Sequence, residues 1–495
     1  MRKRLSLLIL MILVGASAAF GQATMQPQSV KGAVIKGKAP VSKEVLKVTL
    51  PKAFETKLAN GLQVIVLENH KLPTFAMQMV ILSGGISDPP GKPGVAQMTG
   101  QLLREGTKTR DSRQIAEQVD SVGATLTASS GLSATESLVA ASGLTDNLDQ
   151  VMDLFADVIL NPTFPADELN KLRNRTIAQL RMLRSSPNFL AAEMFSRVIY
   201  PNHPASRIML NADELRALTP ELLKEFHSTY YRPNNAIFAI VGDVKPTDIV
   251  TRLEKKFAAW QRRDVPSTTV PQANEVGAAK IFVVDRPGSV QTNLVLGTQT
   301  IVRTDPDYSA LQVMNRIVGG GPSGRLFMNL REDKGYTCGA YSNTSAQKWR
   351  GIFQGSAQVQ NAVTDGSMKE FMYEFNRIRD EAVPQEEFDN AKRAIIGSFA
   401  LQLESPQSIL QNILTQKLYG LPADYWDTYP QKISALTVND VQKVARKYVD
   451  LGHLQVVAVG DAKTIVEPLR KYGTVEVYDS EGKPAEPPAA KASEK

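Results

Sequence analysis

The sequence predicts an α+β protein of two homologous domains, each an antiparallel or mixed β-sheet packed with α-helices. Three observations carry that expectation. Asn60-Gly61 separates two short apolar-alternating runs, a strong hairpin signal because both residues tolerate the positive φ of a tight turn. Strand patterns of this kind alternate with amphipathic helical stretches, as in layered sheet-and-helix domains. The second half also repeats the first. Gly242-Asp243 recurs as Gly460-Asp461 and Leu218-Thr219 as Leu436-Thr437, each 218 residues later, and Pro165 recurs as Pro384, 219 residues later. Three markers at nearly one offset indicate duplication, because chance would scatter them.

Composition bounds the function. At 495 residues the chain is long enough for two or three domains, and 43% hydrophobic with 22% charged residues suits packed cores, not bulk disorder. The single cysteine, Cys338, excludes an intrachain disulfide framework and any multi-cysteine zinc site. A net charge of +7 is spread along the chain, which describes a solvated surface and leaves no nucleic-acid footprint.

Taken in order, residues 1–23 read as a secretory signal. Arg2, Lys3 and Arg4 precede the apolar run Leu5 to Val14, and a small-residue zone follows from Ala16. That run is shorter than the about 20 residues needed to span a bilayer. No later segment is apolar enough to span, so the expectation is an exported protein, periplasmic in a Gram-negative source, with no transmembrane segment after signal removal. Residues 24–47 read as an extended arm rich in Lys, Val, Pro and Gly. The first domain, 48–262, opens with the hairpin from Phe54 to Leu67. It continues with a strand over Phe75–Leu82, a helix opened by the glycine turn at Gly94, and a helix over Ser112–Val122. Two alternating strands follow within Ala124–Ala140, then helices over Leu148–Ile159, Pro165–Arg184 and Leu222–Tyr230, and a buried strand over Ala236–Val241. Residues 263–280 form a linker containing Pro266, Pro271 and Gly277; 281–478 form the second domain. The tail, 479–495, is rich in Pro, Ala, Glu and Lys and is expected to be disordered.

Chemistry is suggested most strongly at Gly94–Thr107. Gln97 and Gln101 are i and i+4 neighbours on one face of the expected helix, the spacing with which two imidazoles would grip a zinc ion. A glutamine amide is a weak zinc ligand, however, and Gly100 cannot serve as a general base. Elsewhere His70, His203, His227 and His453 show no mutual ligand spacing and read as loop, cap or surface residues. Cys338 lies in a strand-like run without a Cys/His arrangement and reads as a packed small hydrophobe. Gly319, Gly320 and Gly321 lack the following Gly-Lys-Ser/Thr of a phosphate loop and read as a tight turn.

Gly94–Thr107 resembles the inverted zinc motif, H-x-x-E-H, of the insulinase/pitrilysin/mitochondrial processing peptidase family. Gln97, Gly100 and Gln101 stand where His, Glu and His would be. Other segments resemble the family in order along the chain: Asn202-His203-Pro204, Tyr231 to Asn235, Val241-Gly242-Asp243, Gly319 to Phe327 and Leu330 to Thr337. The resemblance implies the insulinase-like duplicated fold. It places the third metal ligand, a glutamate in the family, at Gln179, and a substrate-holding arginine at Arg331. The tyrosine that accompanies this arginine seven residues later is Cys338 here; Tyr336 and Tyr341 are nearby but out of register. Arg331 reads equally as a surface ion-pairing residue.

The resulting expectation is a degenerate, zinc-free site in a protein that is not an enzyme by itself. Family members enclose a chamber between two halves, one of which can lack zinc. This chain is therefore expected to pair as a heterodimer with a zinc-bearing homologous subunit and to form the opposite wall. Arg331 and the Gly319–Gly321 turn would face peptide substrates, with no cofactor in this chain and zinc only in the partner. The alternatives are a peptide-binding or scaffold protein without a protease partner, and an enzyme of unorthodox chemistry.

Overall fold

The computed structural model describes residues 46–487. The signal and nearly all of the arm lie outside the described residues, as does the tail from 488 onward. The Asn60-Gly61 turn, with Gly61 at φ 97°, joins β1 (Phe54–Lys57) to β2 (Gln63–Glu68) as an antiparallel pair. After β3 (Thr74–Ile81) come α1 (Val95–Leu102) and α2 (Ser112–Ser121), then β4 (Thr125–Ser130) and β5 (Ser137–Leu144). Five helices follow: α3 (Leu148–Leu160), α4 (Ala166–Leu183), α5 (Pro187–Ile199), α6 (Ala212–Ala217) and α7 (Pro220–Tyr230). The half closes with β6 (Ala236–Gly242) and α8 (Pro246–Lys256).

The second half runs β7 (Lys280–Asp285), β8 (Gln291–Gln299), α9 (Tyr308–Val318), a π-helical turn (Phe327–Asp333), β9 (Thr337–Ser345) and β10 (Ile352–Gln360). It continues with α10 (Thr364–Asp380), α11 (Gln385–Gln402), α12 (Pro406–Tyr419), α13 (Tyr429–Ala435), α14 (Val438–Tyr448), β11 (Gln455–Gly460), α15 (Ala462–Leu469), β12 (Val475–Tyr478) and β13 (Pro484–Ala485). From Asp479 to Lys483 the chain turns back so that β13 pairs antiparallel with β12. Arg184 and Arg197 each donate a hydrogen bond to this turn, at Ser480 O and Gly482 O. The start of the tail expected to be disordered is therefore ordered, because main-chain pairing and two guanidiniums satisfy its carbonyls.

The duplication is visible strand by strand. The first sheet has the order β1-β2-β6-β3-β5-β4 and the second β13-β12-β7-β11-β8-β10-β9. β2–β6 and β7–β11 are the matching parallel pairs, and the strands on the other side alternate antiparallel. Each repeated sequence marker performs the same task twice. Gly242 and Gly460 end the central strands β6 and β11, which are buried throughout and apolar nearly end to end, as strands covered on both faces must be. Thr219 and Thr437 cap α7 and α14 through their side-chain oxygens, and Pro165 and Pro384 precede α4 and α11.

Each sheet meets its own half's helices on one face, around Met77, Phe155 and Phe238 in the first and Phe353, Phe371 and Phe375 in the second. The opposite faces are covered by exchange. α5 of the first half lays Leu190, Met194 and Phe195 against Val284, Val457 and Val459 of the second sheet. α12 of the second half lays Leu410, Ile413 and Leu414 against Ile65, Ile237 and Val241 of the first. Each fully buried aliphatic side chain contributes about 1.5–3 kcal/mol, so the exchanged helices fasten the halves into one body.

Candidate functional site

The first-half position that sequence singled out is built by a tightly held turn. Asp88 accepts hydrogen bonds from Gly94 N at 2.6 Å and Ala96 N at 2.7 Å, satisfying donors that the start of α1 leaves without helical partners. Burial pushes the Asp88 carboxyl up to about 6 against the opposing pull of these main-chain donors. Gly94 enters the helix at φ 90°, a left-handed conformation in which a side chain would also strike Leu210. α1 is shorter than expected and ends at Leu102. Beyond it the chain turns through Gly106, which bridges Asp111, while the Thr107 hydroxyl donates to buried Asp157 at 2.7 Å.

Gln97 and Gln101 are half-buried on α1, and Gly100 between them is fully buried. A Cβ at Gly100 would stand 2.8 Å from Ser129 C and 2.9 Å from Ser130 N. The helix thus rests directly on the main chain of edge strand β4, and the position that would carry a general base is filled by that strand. α1 also packs against α4, where Gln179 is exposed. The donor set at these positions is three amides and a glycine, which does not fit zinc, a cation held by imidazole, thiolate and carboxylate. Among the described residues no group of three or more His, Cys, Asp and Glu side chains is placed to hold a metal ion.

The four histidines stand apart, each with its own partner. His70 Nδ1 is 2.6 Å from Asp243, whose carboxylate, with that of Glu68, raises the imidazole pKa. His203 Nε2 meets Pro271 O at 3.1 Å, and its Nδ1 accepts from Ala205 N. His227 Nε2 donates to Ile159 O at 2.8 Å, and burial lowers its pKa to about 4. His453 Nδ1 lies 2.6 Å from Asp450.

In the second half, Arg331 sits on the π-helical turn. It is about half exposed, with its guanidinium 4.7 Å from the Phe327 ring centroid and Nε 3.4 Å from Glu332. Phe327 also packs against Tyr341 at 5.5 Å between centroids. Phe327 thus contacts both Arg331 and Tyr341, a tyrosine out of register with the family pattern. Cys338 corrects another expectation, for it is exposed and not packed. Thr337 pairs with Val359 and Ala340 with Ala357, so Cys338 and Gly339 together oppose the single residue Gln358. This bulge, held by the Thr337 hydroxyl donating to Gln358 O and accepting from Gly339 N, turns Cys338 outward.

The Gly319–Gly321 turn packs closely on β9 and on the end of α9, and Gly320 borders a cleft beside α9. A Cβ at Gly319 would lie 2.5 Å from Ser342 N, which donates to Gly319 O at 2.9 Å, and Arg316 donates to Gly320 O. Beside β9 a cleft of ≈ 470 Å³ opens between α5 and the second sheet, lined by Asn293, Tyr341, Gln354, Ser356 and Gln358. Asn293 Oδ1 is buried there without a partner. Such a surface offers hydrogen bonds to an extended chain.

Comparison with known proteins follows the same division. A model described as Insulinase (Peptidase family M16) matches residues 63–213, and one described as Peptidase M16 inactive domain matches residues 217–395. The chain is 24% identical over 392 residues to the uncharacterized zinc protease YmxG of Bacillus subtilis, covering 78% of this chain and 93% of that protein. It is 26% identical over 415 residues to the zinc protease PqqE of Helicobacter pylori, covering 81% and 90%. Among solved structures, a peptidase M16 inactive domain from Pseudomonas fluorescens superposes with a TM-score of 0.77 at 28% identity, covering 83% of this chain and 98% of that one.

Proposed function

Because this chain belongs to the insulinase (peptidase M16) family, we propose that it is a non-catalytic, exported member that binds peptides beside a zinc-bearing homologous subunit and forms the wall opposite that subunit's active centre. The observation carrying this reading is the kept architecture around Gln97, Gly100 and Gln101. The glycine turn, the Asp88 cap and the α1–β4 contact are all present, yet the side chains are two amides and none. Zinc, on this reading, belongs to the partner alone. Peptide contact falls to the second half, at Arg331 with Tyr341 and along the neighbouring cleft, where main-chain and electrostatic contacts supply affinity. Among the described residues no helix is long and apolar enough to cross a membrane.

The test is reconstitution. Mixed with a homologue carrying an intact H-x-x-E-H, the chain should co-elute with it and raise cleavage of unstructured peptides, and Arg331→Ala should raise KM with little change in kcat. Full partner activity with no detectable complex would sink the proposal. The polar cleft beside α5 also favours a second reading, a peptide binder without a protease partner. Peptide binding by the lone protein that no homologue alters would select it.

A further inference from the structure

The duplicated architecture gives the degenerate first-half position a counterpart. α9 packs on edge strand β9, on α14 and on α11, as α1 packs on β4, on α7 and on α4. Ser398 stands fourteen residues after Pro384, as Gln179 stands fourteen after Pro165. Between α9 and α11, where the first half carries its glutamines, the second half has a cleft of ≈ 320 Å³ reached by Arg303, Arg316, Asn315, Ser398, Asn412 and Trp426. No Asp or Glu lines it.

Arg303 is the principal anomaly. It is 7% exposed and forms no ion pair with any described Asp or Glu. Its guanidinium lies 3.8 Å from the Tyr308 ring centroid and 5.1 Å from that of Tyr425, and Nη1 donates to the Tyr425 hydroxyl at 3.0 Å. Ring faces and a neutral hydroxyl offset only part of the desolvation of a buried cation. Two further groups lining the cleft are buried without partners, the acceptor Asn315 Oδ1 and the donor Asn412 Nδ2. A lone buried cation, an acceptor, a donor and an aromatic wall together describe one ligand: a carboxylate whose neighbouring amide supplies an N–H and a carbonyl, with an apolar side chain beside them.

We propose that the cleft between α9 and α11 binds the C-terminal carboxylate of a peptide. The carboxylate meets Arg303 and Arg316, the terminal amide N–H meets Asn315 Oδ1, a main-chain carbonyl meets Asn412 Nδ2, and the last side chain rests on Trp426. The volume holds about one residue. This assignment rests on the peptide-binding reading for the nature of its ligand; the charge complementarity stands independently.

Full-length protein titrated with N-acetyl-leucine and with its neutral amide, by calorimetry and by Trp fluorescence, tests the charge requirement. A short unstructured peptide ending in leucine, as free acid and as C-terminal amide, tests the source. The free acids should bind at least roughly tenfold more tightly than the amides, the effect of one charge-assisted contact. Arg303→Gln should shrink that difference severalfold, leaving only the contribution of Arg316. Ser398→Glu, which places a carboxylate in the cleft and stays usable if Arg303→Gln fails to fold, should abolish it. Equal binding of acid and amide, no binding of any probe, or undiminished acid binding by Ser398→Glu would overturn the assignment. Peptide binding that ignores amidation would leave the broader function standing while removing this cleft from it. Binding of N-acetyl-leucine with no binding of either peptide would do the reverse, ruling out peptide C-termini as the ligand.

Discussion

Gly100 offers the sharpest test of how the first-half position is closed. Replacing glycine by alanine inside an exposed helix stabilises by about 1 kcal/mol, because the glycine chain loses more freedom on folding. Gly397 on α11 meets nothing within 4 Å of an added Cβ, so Gly397→Ala should realise that gain. At Gly100 the same methyl group would press on Ser129 C and Ser130 N at 2.8–2.9 Å, main-chain atoms fixed by pairing with β5. Overpacking of this kind costs typically 1–3 kcal/mol. Gly100→Ala should therefore be neutral to about 2 kcal/mol destabilising, leaving the two variants apart by roughly 1–3 kcal/mol. Equilibrium urea unfolding of the pair measures this difference under one set of conditions. Equal stabilisation by both substitutions would refute the direct seating of α1 on β4. The same contact governs the chemistry: His at 97 and 101 with Glu at 100 should not create a zinc peptidase, because β4 occupies the space and Gln179 remains. Robust zinc-dependent cleavage by that triple variant would show that the third ligand has been misplaced.

Two partly buried groups should give the stability an unusual pH profile. Asp88, raised to about 6 by burial, holds its proton in the folded state above the pH at which the unfolded chain releases it, so stability falls as pH rises from about 4 to 6, by up to roughly 3 kcal/mol. His227, lowered to about 4 by burial, contributes stability that is present above about 6.5 and lost as pH falls toward 4, by a similar amount. The two nearly cancel, so Asp88→Asn should unmask a stability that climbs with pH and His227→Gln one that declines, in urea titrations across this window; identical profiles would refute both assignments. Leu410→Ala, which truncates a fully buried α12 side chain seated on the first sheet, should cost about 3 kcal/mol and lower the unfolding of both halves in one transition. Separate transitions would show that the exchanged helices do not couple the halves.

The parts of this fold that sequence made legible are those fixed by local rules. Asn60-Gly61 sets a hairpin register, the apolar run Ala236–Val241 demands cover on both faces, and repeated caps at Thr219 and Thr437 reveal the duplication. What escaped depends on partners remote in the chain. The apolar stripe of α5 does not say which sheet it meets; the helix crosses to the other half's sheet. Strand alternation gives Cys338 the same parity as buried Ala340, and only the bulge opposite Gln358 reverses it. Arg303, Tyr308, Ser398 and Trp426 gain meaning as a cleft only when α9, α11 and the loop before α13 converge.

The two matched positions diverge for a reason that bears on function. In the first half the residue facing the edge strand lacks a side chain, so α1 sits on main-chain atoms and leaves no room for a ligand between helix and strand. In the second half the glycine contact with the strand comes at Gly319, beyond the end of α9. The last turn of α9 is thereby freed to present Asn315 and Arg316 toward α11. One duplicated scaffold thus closes one position and opens the other through where it places glycine. Three open polar surfaces, the Arg331–Phe327–Tyr341 group, the cleft beside α5 and the Arg303 cleft, all involve the second half. On the peptide-binding reading, charge substitutions in the second half should therefore alter binding more than substitutions around Gln97 and Gln101.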